Sequence, residues 1–211
     1  MNSKPLLIII SGPSGSGKGT LCNKLRQTLP NLMYSISATT RPSRPGEING
    51  VDYFFVSEAD FRNQLRAGEF LEWAEVYGNY YGTPRRPVKA WLQEGKDVLL
   101  ELDIQGAQQV KKFFPQALLI FVKPPSLEEL GARIVKRGTD SAETIRKRLE
   151  YVPEELQAAK NYDYVVINDQ EERALAELLD IIKKEKERLN STRGDSCATA
   201  QPGYFNERNE Q

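Results

Sequence analysis

The stretch Leu6-Leu7-Ile8-Ile9-Ile10-Ser11-Gly12-Pro13-Ser14-Gly15-Ser16-Gly17-Lys18 decides the fold of this 211-residue chain. Its first five residues form an uninterrupted apolar run rich in β-branched side chains, which is typical of a parallel strand covered on both faces. From Lys18 the apolar residues take helical spacing, at Leu21, Cys22, Leu25 and Leu29, until Pro30 ends the pattern. The stretch therefore predicts a strand, a glycine-rich turn and a helix.

The turn has the chemistry of a phosphate site. Gly12-x-x-x-x-Gly17-Lys18 has P-loop spacing, and the strand before it and the helix after it are the required context. Glycines let backbone N–H groups turn inward around a polyphosphate, the helix N-terminus adds positive potential, and Lys18 adds a charge. A merely glycine-rich turn would not need that lysine. The predicted polyphosphate-binding residues are Gly12, Pro13, Ser14, Gly15, Ser16, Gly17, Lys18, Gly19 and Thr20.

One position of the loop departs from the P-loop consensus. Gly19 stands where Ser or Thr would offer a hydroxyl to Mg²⁺, and Thr20 follows one residue later. Gly-Lys-Gly-Thr resembles the loop of adenylate and cytidylate kinases. Phosphate binding depends on the backbone and Lys18, so it is unaffected, but Gly19 offers no hydroxyl for direct ligation of the metal. We expect Mg²⁺ to accompany ATP and to be held chiefly by phosphates and water.

Composition excludes several function classes. The 29 Lys and Arg balance the 29 Asp and Glu, so no overall basic field would attract nucleic acid or an anionic membrane. The chain has no histidine, which removes imidazole bases and His-ligated metals. Its two cysteines form no disulfide framework or zinc site. Because the first apolar run is too short for a signal peptide or a bilayer span, we expect a reduced, soluble, cytoplasmic protein.

Further short apolar runs, each followed by a helix-compatible stretch, predict an α/β fold with a parallel sheet and helices on both faces. They lie at 97–102, 118–122 and 164–167. A last helix is expected over about 169–190, packed on the sheet by its apolar face. The core would comprise residues 5–36 and 87–190.

Residues 37–86 differ in composition from the rest of the chain, since they are rich in Tyr, Gly and Arg. Strand-like pieces at 53–56 and 71–76 surround a helical stretch at 58–67, which we interpret as an inserted substrate subdomain. A polar turn at about 137–143 between Arg-bearing helices is either a small lid or an ordinary surface turn. Residues 191–211 have no periodicity and are expected to form a flexible polar tail.

Two features of the insertion suggest an acceptor site. Arg41 and Arg44, stiffened by neighbouring prolines, could form a fork for a phosphate dianion or belong to a solvated basic loop. Glu72 lies in an otherwise apolar run, so it needs a donor partner if it is buried. Guanine presents two donors on one edge, N1–H and the 2-amino group. A carboxylate on an edge strand facing water is the alternative.

With these motifs in view, the chain resembles the guanylate kinases over residues 5–186. The shared motifs are Ser-x-Thr-Thr-Arg-x-x-Arg-x-Gly-Glu-x-x-Gly-x-Asp-Tyr at 37–53, Gly-Asn-Tyr-Tyr-Gly-Thr at 78–83, Asp-Ile-Gln-Gly at 103–106 and Pro-Pro-Ser at 124–126. The resemblance implies a P-loop NTPase-type fold with a GMP-binding insertion and a small lid. It also implies transfer of the γ-phosphoryl group of ATP to GMP, and to dGMP, in purine nucleotide metabolism.

The resemblance implies roles for individual residues. The GMP phosphate would be held by Arg41, Arg44, Tyr53 and Tyr81, with Glu47 in the same GMP site. The guanine would be read by Ser37, Glu72, Thr83 and Asp103. Catalytic cations would be Lys18, Arg41, Arg44, Arg133, Arg137 and Arg148, of which the last three could instead lie on solvated helix faces. Asn168 would sit near the adenine. Glu101, where the family has a shorter Asp, would lie near Mg²⁺, in contact with it either directly or through water.

Two other functions remain alternatives at this point. Guanylate kinase-like domains also serve as non-catalytic interaction modules, but these characteristically lack a working phosphate loop, whereas this chain keeps Lys18. A kinase for AMP or CMP is suggested by Gly-Lys-Gly-Thr and conflicts with the motifs at 37–103. The expected partners are therefore ATP and GMP, without nucleic acid or membrane, and a homo-oligomer is left open.

Overall fold

The computed structural model describes residues 4–137 and 142–191. The strands are β1 Leu7–Ser11, β2 Met33–Tyr34, β3 Ala38–Thr39, β4 Phe54–Phe55, β5 Phe70–Val76, β6 Asn79–Pro84, β7 Val98–Glu101, β8 Leu118–Lys123 and β9 Tyr164–Ile167. The helices are α1 Lys18–Thr28, α2 Glu58–Arg66, α3 Arg85–Gln93, α4 Ile104–Phe113, α5 Leu127–Arg137, α6 Ala142–Gln157 and α7 Glu171–Ser191, with a 3-10 turn at Ala158–Asn161.

The larger sheet has the strand order β2-β7-β1-β8-β9 and is parallel throughout. β1 is central, with Ile9 paired to Leu100 of β7 and to Leu119 of β8. The predicted α/β class is confirmed. The two-residue strand β2 was missed because Met33–Tyr34 is too short to show a period.

Alternation along β1 explains its uninterrupted apolar sequence. Ile8 and Ile10 point into a core shared with α1 and α7, whereas Leu7 and Ile9 point into a second core shared with α3 and α4. All four side chains are buried. Because both faces are covered by helices, apolar side chains occupy both faces of β1 from Leu7 to Ile10.

The smaller sheet has the order β4-β3-β6-β5 and lies inside the predicted insertion. β5 and β6 form its long antiparallel hairpin. Helix α2 packs against it through Phe61, whose ring stacks on Phe70 with centroids 4.4 Å apart. The smaller sheet and α2 therefore share a small core of their own.

Helices α5 and α6 pack on each other through Leu130, Ile134 and Val152. Between them, residues 138–141 lie outside the described residues, so most of the predicted lid at 137–143 does too. The same holds for 192–211 of the predicted tail. Over residues 4–137 and 142–191, we find no helix whose length and apolar character would allow it to cross a membrane.

Candidate active site

A cleft of about 590 Å³ separates the glycine-rich loop from the smaller sheet. It lies at the carboxyl end of the parallel strands, the edge at which open α/β sheets bind ligands. The sequence-predicted residues that line it are Gly12, Ser14, Gly15, Gly17, Lys18, Gly19, Thr20, Ser37, Arg41, Arg44, Glu47, Tyr53, Glu72, Tyr81, Glu101, Asp103, Arg133 and Arg148. Pro13, Ser16, Thr83 and Asn168 do not line it, and the Arg137 side chain lies outside the described residues.

The loop between β1 and α1 depends on glycines, of which Gly12 and Gly17 are held closest to their neighbours. Gly12 has a φ of 149°, and a Cβ there would overlap the carbonyl oxygen of Val122. Gly17 has a φ of 87° at the start of α1, and a Cβ there would overlap the side-chain amide of Asn168. Both constraints keep the loop backbone close to the sheet, with the N-terminus of α1 directed at the cleft.

Asn168 supports this loop from behind. Its side-chain amide is buried and donates to the Ser16 backbone carbonyl at 2.8 Å, and the backbone carbonyl of Asn168 accepts from the Arg133 guanidinium at 3.1 Å. These contacts connect the end of β9 to the phosphate loop. The sequence also predicted that Asn168 lies near the adenine, and that contact stays a prediction. In the structure its side chain faces the loop.

The arginine pair on the opposite wall is organised by Glu47. Glu47 accepts from the Arg41 guanidinium at 2.9 Å and from the Arg44 backbone N–H at 2.7 Å. Burial would raise the pKa of Glu47, but these hydrogen bonds outweigh it and the pKa is lowered. Glu47 is thus committed to the arginines, whereas the sequence grouped it with the GMP contacts. The Arg41 guanidinium also lies 5.5 Å from the centre of the Tyr53 ring.

Glu72 of β5 is the buried carboxylate of the cleft, with only 4% of its surface exposed. Thr83 of β6 donates its hydroxyl to Glu72 Oε1 at 2.6 Å. Burial raises the pKa of Glu72 to about 7, Thr83 opposes this shift, and the charge of Asp103 adds to it. β5 is an edge strand of the smaller sheet, as the alternative required, but the carboxylate is buried, so the prediction that it faces water is wrong. Thr83 itself is fully buried behind Glu72 and fixes its orientation.

Asp103 combines a structural contact with its place in the cleft. Its Oδ1 accepts from the backbone N–H groups of Gln105 and Gly106, which caps the N-terminus of α4. Gly106 in turn lies so close to Glu72 that a Cβ would overlap Glu72 Oε2. The turn at 103–106 therefore sets the space available to both carboxylates.

Glu101, at the end of β7, lies over the loop position that departs from the consensus. A Cβ on Gly19 would be 3.4 Å from Glu101 Oε1. Tyr34 donates its hydroxyl to Glu101 Oε2 at 3.4 Å. Within the described ranges no three acidic or thiol side chains gather into a metal cluster. One carboxylate beside the loop suits a metal bound mainly by phosphate and water oxygens.

Two arginines approach from α5 and α6. Arg133 pairs with Glu129 at 3.0 Å, as expected for a helix-surface pair, yet it also lines the cleft. Arg148 is 8% exposed and donates to the Ser14 hydroxyl in the loop at 2.6 Å. The solvated-face alternative is therefore wrong for Arg148.

Sequence reasoning missed several residues of the cleft, among them Tyr34, Tyr77 and Glu155. Glu155 has a buried Oε2 that lacks a hydrogen-bond partner among the described residues, and burial raises its pKa. No local pattern singles out Tyr34 or Glu155. Tyr77 carries a weak signal, since Tyr-Gly occupies a tight turn where Asn-Gly or Asp-Gly is the usual choice.

A family model, curated relatives and a solved structure that resemble this chain all carry the same family description. Residues 4–185 match the family model described as guanylate kinase. The guanylate kinase of Symbiobacterium thermophilum is 50% identical over 89% of this chain and 90% of its own length. That of Desulfitobacterium hafniense is 53% identical over 87% and 92%. The crystal structure of guanylate kinase from Anaplasma phagocytophilum is 34% identical, with a TM-score of 0.75 over 88% of both chains.

Proposed function

The chain belongs to the guanylate kinase family, and we propose that its cleft positions ATP and GMP so that the γ-phosphoryl group passes directly between them. The products are ADP and GDP. The observation that carries the residue assignment is the arrangement of one cleft: a phosphate loop with Lys18 faces Arg41, Arg44 and the buried Glu72.

On the donor side, the backbone N–H groups of the loop and Lys18 hold the ATP phosphates. Arg133 and Arg148 add positive charge where negative charge develops on the transferred group. Asn168 keeps the loop in place through Ser16. The predicted Arg137 would join them from the end of α5, where its backbone lies.

On the acceptor side, Arg41, Arg44, Tyr53 and Tyr81 hold the GMP phosphate, and Glu47 keeps the two arginines in register. The Glu72 carboxylate accepts from guanine N1–H and the 2-amino group. Ser37 and Asp103 complete this base site, with Thr83 acting through Glu72. dGMP fits the same contacts, which use the base and the phosphate.

The reaction requires positioning and cations more than proton transfer. The attacking oxygen belongs to a phosphate that is largely ionised at neutral pH, since its second pKa is about 6. A chain without histidine can therefore perform it. Glu101 would lie beside a Mg²⁺ ion bound mainly by ATP phosphates and water, and such an ion would neutralise phosphate charge.

We propose further that residues 37–86 act as the acceptor subdomain on a core of 5–36 and 87–190. A cytoplasmic location is proposed on the ground that Cys22 is a buried free thiol, as is usual in reducing compartments.

The test is an ADP-release assay with Mg-ATP across GMP, dGMP, AMP, CMP and UMP. We expect turnover with GMP and dGMP and little with the others. Lys18→Ala should lose most GMP-dependent turnover, because the loop loses its only side-chain charge toward the phosphates. Turnover with AMP or CMP instead of GMP would refute the acceptor assignment, and no turnover with any acceptor would favour the interaction module.

A further inference from the structure

The tip of the β5–β6 hairpin has an unusual backbone. Tyr77 has a φ of 51°, the one positive value at a non-glycine residue among 4–137 and 142–191, and Gly78 follows with 76°. Consecutive positive φ values are typical of type I′ hairpin turns, which favour Asn or Asp before Gly. A bulky aromatic residue is disfavoured there. Turn formation alone does not explain Tyr77.

The Tyr77 side chain contacts the opposite wall of the cleft. The Arg148 guanidinium lies 5.2 Å from the centre of the Tyr77 ring, within cation–π range. The Tyr151 ring meets Tyr77 edge-on, with centroids 6.1 Å apart. Both partners belong to α6, so the hairpin tip bridges from the smaller sheet to the helix that carries Arg148.

Arg148 continues this bridge to the phosphate loop, through its 2.6 Å hydrogen bond to the Ser14 hydroxyl. At the other end, the same hairpin carries Glu72 on β5 and Tyr81 on β6. The hairpin strands therefore join the proposed guanine site to Tyr77, and the contacts of Tyr77 with Arg148 and of Arg148 with Ser14 extend this connection to the proposed ATP site.

We propose that Tyr77 is a positioning residue that couples occupancy of the GMP site to the placement of Arg148 at the phosphate loop. This inference rests on the proposed function, since it requires GMP on the hairpin and ATP on the loop. A ligand that holds the hairpin over the cleft also holds the aromatic ring on Arg148. Each nucleotide then favours the arrangement that binds the other, and by linkage the effect is reciprocal.

The test measures binding by calorimetry, with a non-hydrolysable ATP analogue and Mg²⁺. In the wild type, GMP should bind about tenfold more tightly when the analogue is present, within the usual range for coupled sites. Tyr77→Asn suits the positive φ and removes the ring, so it should reduce that factor to below about twofold without lowering the melting temperature. Tyr77→Phe keeps the ring and should retain most of the coupling.

Two further variants make the result decisive. Tyr77→Gly also tolerates a positive φ and should lose the coupling like Tyr77→Asn, which covers the case in which the Asn variant folds poorly. Glu75→Gln alters an exposed side chain on the same hairpin and should keep the coupling.

The proposal would be overturned if both Tyr77→Asn and Tyr77→Gly kept full coupling. It would also be overturned if Glu75→Gln lost as much coupling as they do, or if the wild type showed none. Failure of the proposed function is distinguishable, because the wild type would then not turn over GMP at all.

Discussion

Replacing Glu72 by Gln tests the base-reading site most directly. The carboxylate accepts from Thr83 with Oε1, which leaves Oε2 for the guanine edge. If the Gln amide oxygen keeps the Thr83 bond, its NH₂ group meets the guanine donors. If the amide flips, a single neutral oxygen replaces a charged acceptor. In both orientations at least one guanine N–H loses its charged partner.

The expected loss follows from hydrogen-bond energies. A bond to a charged acceptor contributes about 1.5–3 kcal/mol, and an unpaired buried donor costs about 1–3 kcal/mol. We therefore expect kcat/KM for GMP to fall by about 2–4 kcal/mol, which is about 30- to 900-fold. The value for AMP should hardly change, because adenine lacks the N1–H and 2-amino donors. The assay is ADP release with GMP and AMP as competing acceptors.

Stability should change in the opposite direction. The folded-state pKa of Glu72 is about 7 against an ordinary value of 4.5, so the folded protein binds more protons between these values. The stability that the protonated carboxyl contributes is present below pH 4.5 and is lost as the pH rises through 7. At pH 8, Glu72→Gln should raise the free energy of unfolding of the ligand-free protein by up to roughly 3 kcal/mol.

An unchanged GMP-to-AMP ratio in Glu72→Gln would refute the base-reading role. A fall in both activities together with a lower melting temperature would show structural damage instead. Thr83→Val is a matched companion, since it removes only the hydroxyl that orients Glu72 and should cause a smaller loss for GMP.

Three further predictions concern the same cleft. GMP binding should release protons near pH 7, because guanine favours the ionised form of Glu72. Calorimetry in buffers of different ionisation enthalpy should detect the released protons. Glu72→Gln should lack the part of this release that comes from Glu72. Gly106→Ala should raise KM for GMP about tenfold, because the added Cβ overlaps Glu72 Oε2 and displaces the carboxylate. An unaltered KM would contradict the close contact between Gly106 and Glu72. Asn168→Ala should lower the free energy of unfolding by about 1–3 kcal/mol, measured by thermal unfolding, because the Ser16 carbonyl loses its donor. It should also weaken the binding of ATP more than that of GMP.

Much of the fold could be predicted from local patterns. The apolar run before Gly12 and the helical spacing after Lys18 are signals carried by adjacent residues, and β1 and α1 appear where they indicate. The strand at Tyr164–Ile167 was predicted with its observed bounds. β2 escaped prediction because two residues show no period, and its place at the sheet edge depends on its pairing with β7.

The sequence by itself predicted a phosphate site at one end of the cleft and an acceptor site at the other. The phosphate loop needs glycines at set spacings in one short segment, and the acceptor motif at 37–53 is equally local. For these, the order of residues along the chain is enough, because backbone conformation and side-chain reach act over a few residues.

Only the tertiary structure decided what each charged group contacts. It assigned Glu47 to Arg41, buried Glu72 against Gly106, and brought Tyr77 onto Arg148, 71 positions away in the numbering. Burial and partner distance set pKa values and hydrogen bonds, and both depend on residues far apart in the chain. Local patterns therefore predicted the phosphate loop, whereas packing decides how the acceptor side of the cleft is positioned relative to that loop.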